Sequence, residues 1–184
     1  MIHNYSNKIL DEIKKVLSQV KQKEVDELIE KIISSKTIVT VGAGRVGMAV
    51  KGFAMRLGHL GFHCYNLGDT TLPSIGEGDL FLVASGSGET QTIFDLVQIA
   101  YQNKANIFLV TGNPNSRMGK LATKTLTVQA PSKTKAVDGF QSIQPMTTLN
   151  EQSLGILFDA IILEIMNKTG ETHDTMWDRH SNLE

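Results

Sequence analysis

Residues 79–90 read Asp79-Leu80-Phe81-Leu82-Val83-Ala84-Ser85-Gly86-Ser87-Gly88-Glu89-Thr90. A short apolar run, typical of a buried strand, ends here in glycines and hydroxyl side chains, and a helical pattern follows over residues 92–102. A strand that passes through such a loop into a helix presents backbone N–H groups, hydroxyl donors and the positive end of a helix dipole to one point. The segment therefore predicts a strand, a helix and an anion-binding loop between them.

The loop at residues 85–90 differs from the phosphate-binding loops of nucleoside triphosphatases. No Lys follows its glycines, so the cation that such loops direct at a triphosphate is missing. A simpler interpretation is an ordinary turn in which Ser87 caps the next helix. Two serines, two glycines and a threonine within six residues are more than a cap needs. We therefore predict that the loop binds a phosphate group.

The rest of the chain alternates helical and strand patterns. Two helices with apolar residues at helical spacing come first, over residues 6–20 and 23–33, and a last long helix is predicted over residues 149–166. Nearly continuous apolar strands that alternate with helices indicate an α/β fold, in which helices cover both faces of a parallel sheet. The predicted strands are residues 37–41, 62–67, 80–84, 107–111 and 125–128.

No repeat, low-complexity block or linker divides the 184 residues. We expect a single domain over residues 1–184, with N-terminal helices (1–35), an α/β core (36–169) and a polar C-terminal tail (170–184). Cys64 is the only cysteine, which excludes an intrachain disulfide, and its apolar surroundings in the sequence predict a small buried side chain.

Charge and composition argue against several classes of partner. The net charge is −1 and the Lys and Arg residues are scattered, so the basic face of a nucleic-acid-binding protein is not expected. Residues 1–20 mix acidic and basic side chains with apolar ones, which is typical neither of a signal peptide nor of a membrane span. We expect a cytoplasmic protein without a nucleic-acid or membrane partner.

A second glycine-rich loop, Gly42-Ala43-Gly44-Arg45-Val46-Gly47, follows the first predicted strand. Ligands of parallel sheets bind beyond the carboxyl ends of the strands, which both loops leave. The spacing also matches the dinucleotide-binding fingerprint, which needs an acidic residue about 20 positions later, at the tip of the next strand. That tip reads Tyr65-Asn66-Leu67, with Asp69 slightly late. Dinucleotide binding is therefore the less favoured interpretation, and it leaves the hydroxyl-rich loop at residues 85–90 unexplained.

Six motifs are spread along nearly the whole chain. They are Gly42-Ala43-Gly44-Arg45, residues 54–62, residues 85–90, Gln144-Pro145-Met146, Glu151-Gln152 and His180-Ser181-Asn182-Leu183-Glu184. Together they resemble the 6-phospho-3-hexuloisomerase family, a branch of the sugar-isomerase (SIS) phosphosugar-binding domains. The loop at residues 85–90 alone indicates only the wider SIS group, whereas the middle helix, the Gln-Pro-Met segment and the tail are specific to the hexuloisomerases.

The resemblance implies a flavodoxin-like, three-layer fold with a five-stranded parallel sheet between helices, and a homotetramer. It implies interconversion of D-arabino-hex-3-ulose 6-phosphate and D-fructose 6-phosphate in the ribulose monophosphate pathway. There the enzyme acts after a synthase that condenses formaldehyde with ribulose 5-phosphate. One position departs from the family pattern, because similar proteins usually have Ser where this chain has Val46. A hydroxyl that could contact the substrate is therefore missing from the loop at residues 42–47.

Moving a carbonyl by one carbon requires a group that removes a proton beside it and returns a proton to the adjacent carbon, through an enediol. No metal or cofactor is needed for this chemistry, and none is expected. Thr148 and Glu151 have the spacing of a capping box, so Glu151 could be only a helix cap. The resemblance instead implies that Glu151 lines the active site, where we expect it to be the base. His59 is the second catalytic candidate, although a single His on a helix is often only a packed residue.

Basic and hydroxyl side chains complete the predicted site. A guanidinium suits phosphate or an enediolate oxygen, although solvated surface charge is the plain alternative for both arginines. We expect the carboxylate of Glu89 to point away from the phosphate, toward sugar hydroxyls or the N–H groups of a helix start. The tail should pack on a neighbouring subunit, or else be merely structural. The expected substrate-binding residues are Gly44, Arg45, Arg56, Ser85, Ser87, Gly88, Thr90 and His180.

Two other functions remain open from the sequence. SIS domains also occur as the ligand-binding part of regulators, so a non-catalytic phosphosugar sensor is one alternative. The N-terminal helices are too few, and too mixed in charge, for an attached DNA-reading domain. A different SIS isomerase, acting on a heptose or arabinose phosphate, is the other alternative.

Overall fold

The computed structural model describes residues 1–131 and 140–183. In that part of the chain, five parallel strands form one sheet in the order β2-β1-β3-β4-β5. This confirms the predicted α/β class and its five-stranded parallel sheet. The strands are β1 (Ile38–Gly42), β2 (Cys64–Asn66), β3 (Leu80–Ala84), β4 (Asn106–Thr111) and β5 (Lys124–Thr127).

Helices cover both faces of the sheet because alternate strand residues point to opposite sides. Leu80 and Leu82 join a core with α1, α2, α3 and α6, whereas Phe81 and Val83 join a second core with α4 and α5. No helix among the described residues has the length and apolar character needed to cross a bilayer. The helices are α1 (Ile2–Leu17), α2 (Gln22–Ser34), α3 (Gly44–His59), α4 (Gln91–Gln102), α5 (Arg117–Leu121), α6 (Thr148–Thr169) and α7 (His173–Trp177).

The strand order places the two glycine-rich loops side by side. The chain moves from β1 to β2 on one side and then returns past β1 to β3 on the other. Gly42 and Ala84, the last residues of β1 and β3, are paired in the register of the sheet. The loops that follow them therefore leave the same edge of the sheet at the point where strand order reverses, which is the usual ligand site of open α/β sheets.

Helix α1 runs over Ile2–Leu17 rather than the predicted residues 6–20, and two further elements differ in kind from the sequence prediction. Strand β2 pairs only over Cys64–Asn66, because it is the edge strand and ends in a turn held by Asp69. The tail is not irregular throughout, since residues 173–177 form helix α7. Thr172 and Thr175 form a capping box at the start of α7. The sequence analysis did not predict this helix, because the two threonines lie in a generally polar segment.

Cys64 is half-buried in β2 and packs against the larger core. Burial, with a smaller contribution from the nearby Asp69 carboxylate, raises the pKa of the Cys64 thiol to about 12. The thiol is therefore protonated at neutral pH, which suits a packing role rather than that of a nucleophile.

The first turn of α3 lies against β1. A Cβ atom on Gly47 would be 2.5 Å from the carbonyl oxygen of Gly42, so only glycine fits there without movement of the backbone. Gly52 lies in the same helix, but a Cβ there would meet nothing within 4 Å.

We expect Gly47→Ala to lower the free energy of unfolding by about 1–3 kcal/mol, because overpacking of this size shifts backbone. Its matched control, Gly52→Ala, should raise the free energy of unfolding by about 0.5–1 kcal/mol through better helix propensity. Urea denaturation of both variants at one protein concentration measures the difference. Equal effects of the two substitutions would contradict the close β1–α3 contact.

Candidate active site

A cleft of about 400 Å³ opens at the carboxyl ends of β1 and β3. This volume lies within the range of about 300–1,000 Å³ that is typical of small-molecule sites. Three segments form its walls: the start of α3, the end of β3 with the start of α4, and the start of α6. The lining residues are Ala43, Gly44, Arg45, Val46, Ala84, Ser85, Gly86, Ser87, Thr90, Met146, Thr147, Thr148, Asn150 and Glu151.

The three helices that begin at this cleft have no side-chain cap. Their N-cap residues are Ala43, Thr90 and Thr147, and none of these side chains accepts a hydrogen bond from the first turn of its helix. By contrast, Ser116 and Thr172 cap α5 and α7, whose first turns do not line the cleft. Uncapped N–H groups and three converging positive dipole ends make the cleft a favourable place for an anion.

The loop at residues 85–90 is held by its own hydroxyl groups. Ser85 is buried, and its Oγ accepts a hydrogen bond from the N–H of Gly88 at 3.2 Å, while Ser87 Oγ accepts from the N–H of Glu89 at 3.2 Å. The sequence predicted that this loop directs backbone N–H groups at a phosphate, but the N–H groups of Gly88 and Glu89 are engaged inside the loop. The hydroxyl groups that accept these bonds keep their hydrogens, which can be donated into the cleft. Thr90 adds a further hydroxyl at the start of α4.

Glu151 lies on the opposite wall, with its side chain only 13% exposed. Its Oε1 accepts a hydrogen bond from the hydroxyl of Thr147 at 2.7 Å, and its Oε2 lies 3.3 Å from Nε of Arg45. The capping box that the spacing suggested is not formed, because the hydroxyl of Thr148 donates instead to the carbonyl of Pro145 at 2.7 Å. The carboxylate therefore sits at the cleft beside a guanidinium, and its role is not that of a helix cap.

Three predicted residues, Arg56, His59 and His180, do not lie at the cleft but at another place in the fold. They line a second cavity of about 450 Å³, between the end of α3, the middle of α6 and the tail. Residues 44 and 59 are separated by about 22 Å along α3, at 1.5 Å of rise per residue. A single chain therefore does not bring His59 to Glu151.

The tail is fixed on this second cavity by two kinds of contact. The guanidinium of Arg179 donates to the carbonyl of His59 at 3.1 Å and to the carboxylate of Glu171 at 2.7 Å. The rings of His59 and His180 are 5.1 Å apart, and that of Trp177 lies 4.8 Å from His180. The end of α3 and the tail thus form one unit on the outside of the molecule.

The carboxyl end of β2 does not support dinucleotide binding. Asn66 accepts a hydrogen bond from the hydroxyl of Thr40 at 2.7 Å, and Asp69 accepts from the backbone N–H of Asn66 at 2.9 Å. The acidic side chain thus closes a turn at the edge of the sheet and does not line the cleft. Among the residues that the structure describes, no group of three His, Cys, Asp or Glu side chains could hold a metal ion.

Comparison with known proteins gives the family. The SIS domain model matches residues 31–154. This chain belongs to the SIS domain family. The SIS chain is 38% identical over 180 residues to 3-hexulose-6-phosphate isomerase from Bacillus subtilis, covering 98% of this chain and 97% of the relative. It is 34% identical to the enzyme of that name from Mycobacterium gastri, over 100% of this chain and 92% of the relative.

A solved structure agrees with these relatives. The crystal structure of a Methanococcus jannaschii protein, for which a molecular function of 3-hexulose-6-phosphate isomerase was inferred, superposes on the SIS chain with a TM-score of 0.82. The two are 32% identical, and the match covers 97% of this chain and 96% of the other. The sequence resemblance to the hexuloisomerase branch is thereby confirmed.

The sequence did not predict that Arg117 holds the loop at residues 85–90 through Glu89. Glu89 Oε1 accepts a hydrogen bond from the N–H of Arg117 at the start of α5, as expected of a helix-start contact, but its Oε2 also receives the guanidinium Nε at 2.7 Å. The same guanidinium donates to the carbonyl of Glu89 and packs over the ring of Phe94. The hydrogen bonds from Arg117 lower the pKa of Glu89, so this link is present above the ordinary pKa of a Glu and is lost as the pH falls. The 28-residue separation left no local signal in the sequence.

We expect Arg117→Met to weaken the binding of inorganic phosphate about 3- to 10-fold, because the loop at residues 85–90 loses its rear support, a change of about 1 kcal/mol. Lys120→Met is the matched control, since Lys120 is exposed on the same helix and carries the same charge. Calorimetric titration with phosphate measures both variants. Equal weakening in the two would mean that only net charge matters, and no weakening in either would contradict the support role.

Proposed function

We propose that this protein is a metal-independent 3-hexulose-6-phosphate isomerase, which interconverts D-arabino-hex-3-ulose 6-phosphate and D-fructose 6-phosphate. The full-length relatives of that name support the substrate and the reaction. One structural observation carries the proposal. The cleft contains both the uncapped helix starts, which suit a phosphate, and the largely buried carboxylate of Glu151, which suits a base.

The phosphate of the substrate binds at the start of α4. The hydroxyl groups of Ser85, Ser87 and Thr90 converge there with the unshared N–H groups of the first turn of α4. Each charge-assisted hydrogen bond of this kind contributes roughly 1.5–3 kcal/mol. Gly44 and Gly88 let the backbone of the two loops take the left-handed conformation, at φ of 57° and 66°. The sugar then extends across the cleft toward the start of α6.

Glu151 is the base of the isomerisation. In the direction of fructose 6-phosphate, its carboxylate removes the proton from C2 while the C3 carbonyl oxygen gains a proton, which gives an enediol. The C2 hydroxyl then loses its proton, the C2 carbonyl forms and a proton returns to C3, so no electrons leave the substrate and no cofactor is consumed. Arg45, 3.3 Å from Glu151, is placed to stabilise negative charge on the enediolate oxygens.

Arg56, His59 and His180 act in an assembly of chains. We infer a homotetramer in which the end of α3 and the tail of one chain reach the cleft of another. Large apolar side chains are exposed on the outer faces of the helices around this unit, at Met55 (50%) and Leu163 (66%), and Trp177 of the tail is 64% exposed. Burial of such surface against a second copy is favourable. His59 or His180 then supplies the acid that protonates the substrate oxygens.

The substrate chemistry also indicates the metabolic setting. A hex-3-ulose 6-phosphate is the product expected from a synthase that adds formaldehyde to ribulose 5-phosphate, as in the ribulose monophosphate pathway. Sugar phosphates of this pathway are cytoplasmic, and we propose that the enzyme works there, without membrane or nucleic-acid partners.

We expect the purified protein to convert hex-3-ulose 6-phosphate to fructose 6-phosphate in a coupled assay, with equal rates in the presence and absence of a chelator. Glu151→Gln should lower kcat about 10²-fold or more at nearly unchanged KM, because the amide keeps the shape but does not abstract a proton. Glu30→Gln, at an exposed position of α2, is the matched control and should keep full activity.

Three outcomes would count against parts of this proposal. If the protein binds sugar phosphates but does not convert hexulose phosphate, it is a phosphosugar sensor and not an isomerase. Conversion that fails with a chelator would overturn the metal-independent chemistry. Near-normal turnover of Glu151→Gln would move the role of base to another residue, with His59 the next to test.

We expect deletion of residues 171–184 to reduce both activity and tetramer content. The cut leaves α6 intact, because that helix ends at Thr169 with Gly170 as its left-handed C-cap. The substitution His180→Gln in the full-length chain separates the two effects: it should lower activity while the tetramer persists. Activity assays and size-exclusion chromatography with light scattering measure both properties. A truncated chain that remains a fully active tetramer would contradict a role of the tail in a neighbouring cleft.

A further inference from the structure

A carboxylate on the N-terminal helix anchors the segment that leads into the start of α6. Glu12, on α1, accepts hydrogen bonds from the hydroxyl of Ser142 at 2.7 Å, the backbone N–H of Ile143 at 2.8 Å and the side-chain amide of Gln144 at 2.9 Å. Three donors on consecutive residues thus converge on one side chain about 130 positions earlier in the sequence. The geometry fixes residues 142–144 against α1.

The electrostatics of this anchor match its geometry. Burial by itself disfavours the charged form of Glu12, but the hydrogen bonds from residues 142–144 outweigh it, and the pKa of Glu12 lies below its usual value. The ionised carboxylate also dictates the orientation of the Gln144 amide, whose NH₂ group faces it. The Oε1 of Gln144 is consequently buried without a hydrogen-bond partner among the described residues. An unsatisfied buried acceptor lowers stability, and native proteins retain few of them.

The anchored segment leads directly to the catalytic carboxylate. After Gln144, the carbonyl of Pro145 accepts hydrogen bonds from both the hydroxyl and the N–H of Thr148, at 2.7 and 3.2 Å. Met146 takes the left-handed conformation at φ 56°, which is uncommon for a residue with a side chain. Thr147 comes next, and its hydroxyl donates to Oε1 of Glu151 at 2.7 Å. Residues 145–147 therefore form a short turn between the anchored segment and the start of α6, which carries Glu151.

We propose that Glu12 is a positioning residue for Glu151: by fixing residues 142–144 on α1, it sets the place of the Thr147 hydroxyl that orients the catalytic carboxylate. This inference rests on the proposed role of Glu151 as the base. It assigns a function in the active site to α1, whose residues do not line the cleft. Misplacement of a catalytic group by about 1 Å can lower turnover by as much as 10²-fold, so a distant anchor of this kind is effective.

The test compares Glu12→Gln with Asp11→Asn, which removes the same charge from an exposed neighbouring position of α1. We expect Glu12→Gln to lower kcat about tenfold or more at KM within about twofold, because the phosphate site at α4 is untouched while the base is misplaced. The primary isotope effect on kcat with substrate deuterated at C2 should rise in this variant, since proton abstraction becomes slower. Asp11→Asn should leave kcat, KM and the isotope effect unchanged.

A double-mutant cycle tests the route through Thr147. In a Thr147→Val background, Glu12→Gln should lower kcat by less than about twofold further, because residues that act through one contact are not additive. Ser142→Ala, which removes one of the three donors, provides a milder variant if Glu12→Gln folds poorly, and it should lower kcat in the same direction. Full additivity in the cycle, or a loss of activity explained by unfolding alone, would overturn the proposal.

Amide hydrogen exchange separates this inference from the proposed function. Exchange over residues 142–151 should be faster in Glu12→Gln than in the wild type, and unchanged in Asp11→Asn, whatever substrate the protein uses. If the wild type does not convert hexulose phosphate, the proposed function fails while the exchange result still judges the anchor. If the wild type is active and Glu12→Gln retains both its kcat and its slow exchange, the anchor is wrong and the proposed function stands.

Discussion

The pairing of β1 with β3 is the constraint on which the cleft depends. Their register brings Gly42 opposite Ala84, so that two loops and the two helices after them begin at the same point. The close approach of Gly47 to Gly42 places the first turn of α3 directly against β1. α6 packs on α3, with the rings of Phe53 and Phe158 stacked at 4.5 Å, and its first turn closes the third side. A site for an anion follows from this topology before any side chain is considered.

The N-cap side chains of the helices that begin at the cleft do not cap these helices. Thr90 and Thr147 are both of a type that caps helices well, and a good cap stabilises a helix by about 0.5–2 kcal/mol. Neither side chain caps its helix here. The hydroxyl of Thr147 donates to Glu151 instead, and Thr90 lines the cleft. The short helices α5 and α7, which begin away from the cleft, have their caps. Local stability is thus given up where a ligand can supply the missing partner.

The sequence predicted the sheet well because each buried strand is an unbroken apolar run that only a two-faced parallel sheet accommodates. It also predicted a loop between β3 and α4 at the ligand edge of the sheet, since glycines and hydroxyl groups between a strand and a helix form a local pattern. The edge strand β2 and the short helix α7 were less predictable, because their few residues carry little periodicity. The supports of the site could not be predicted at all. Arg117 contacts the loop at residues 85–90, and Glu12 contacts the segment before α6, only in the folded chain, far from each other in sequence.

The placement of the predicted residues divides the site by its physical origin. Residues on strand ends and helix starts, such as Ser87 and Glu151, come together within one chain because the topology requires it. Residues at the far end of α3 and in the tail, such as His59 and His180, come together with each other but at a different place. In the homotetramer that we propose, a neighbouring chain brings the two groups together.

A crystal structure with bound fructose 6-phosphate is the most direct measurement of whether one cleft holds both the phosphate and the proton-transfer chemistry. We expect the phosphate within hydrogen-bond distance of Ser87, Thr90 and the first turn of α4, and C2 and C3 of the sugar within about 3–3.5 Å of the Glu151 carboxylate. A sugar phosphate bound with its phosphate in the second cavity, or with C2 and C3 remote from Glu151, would contradict the proposal that one cleft holds both the phosphate and the base.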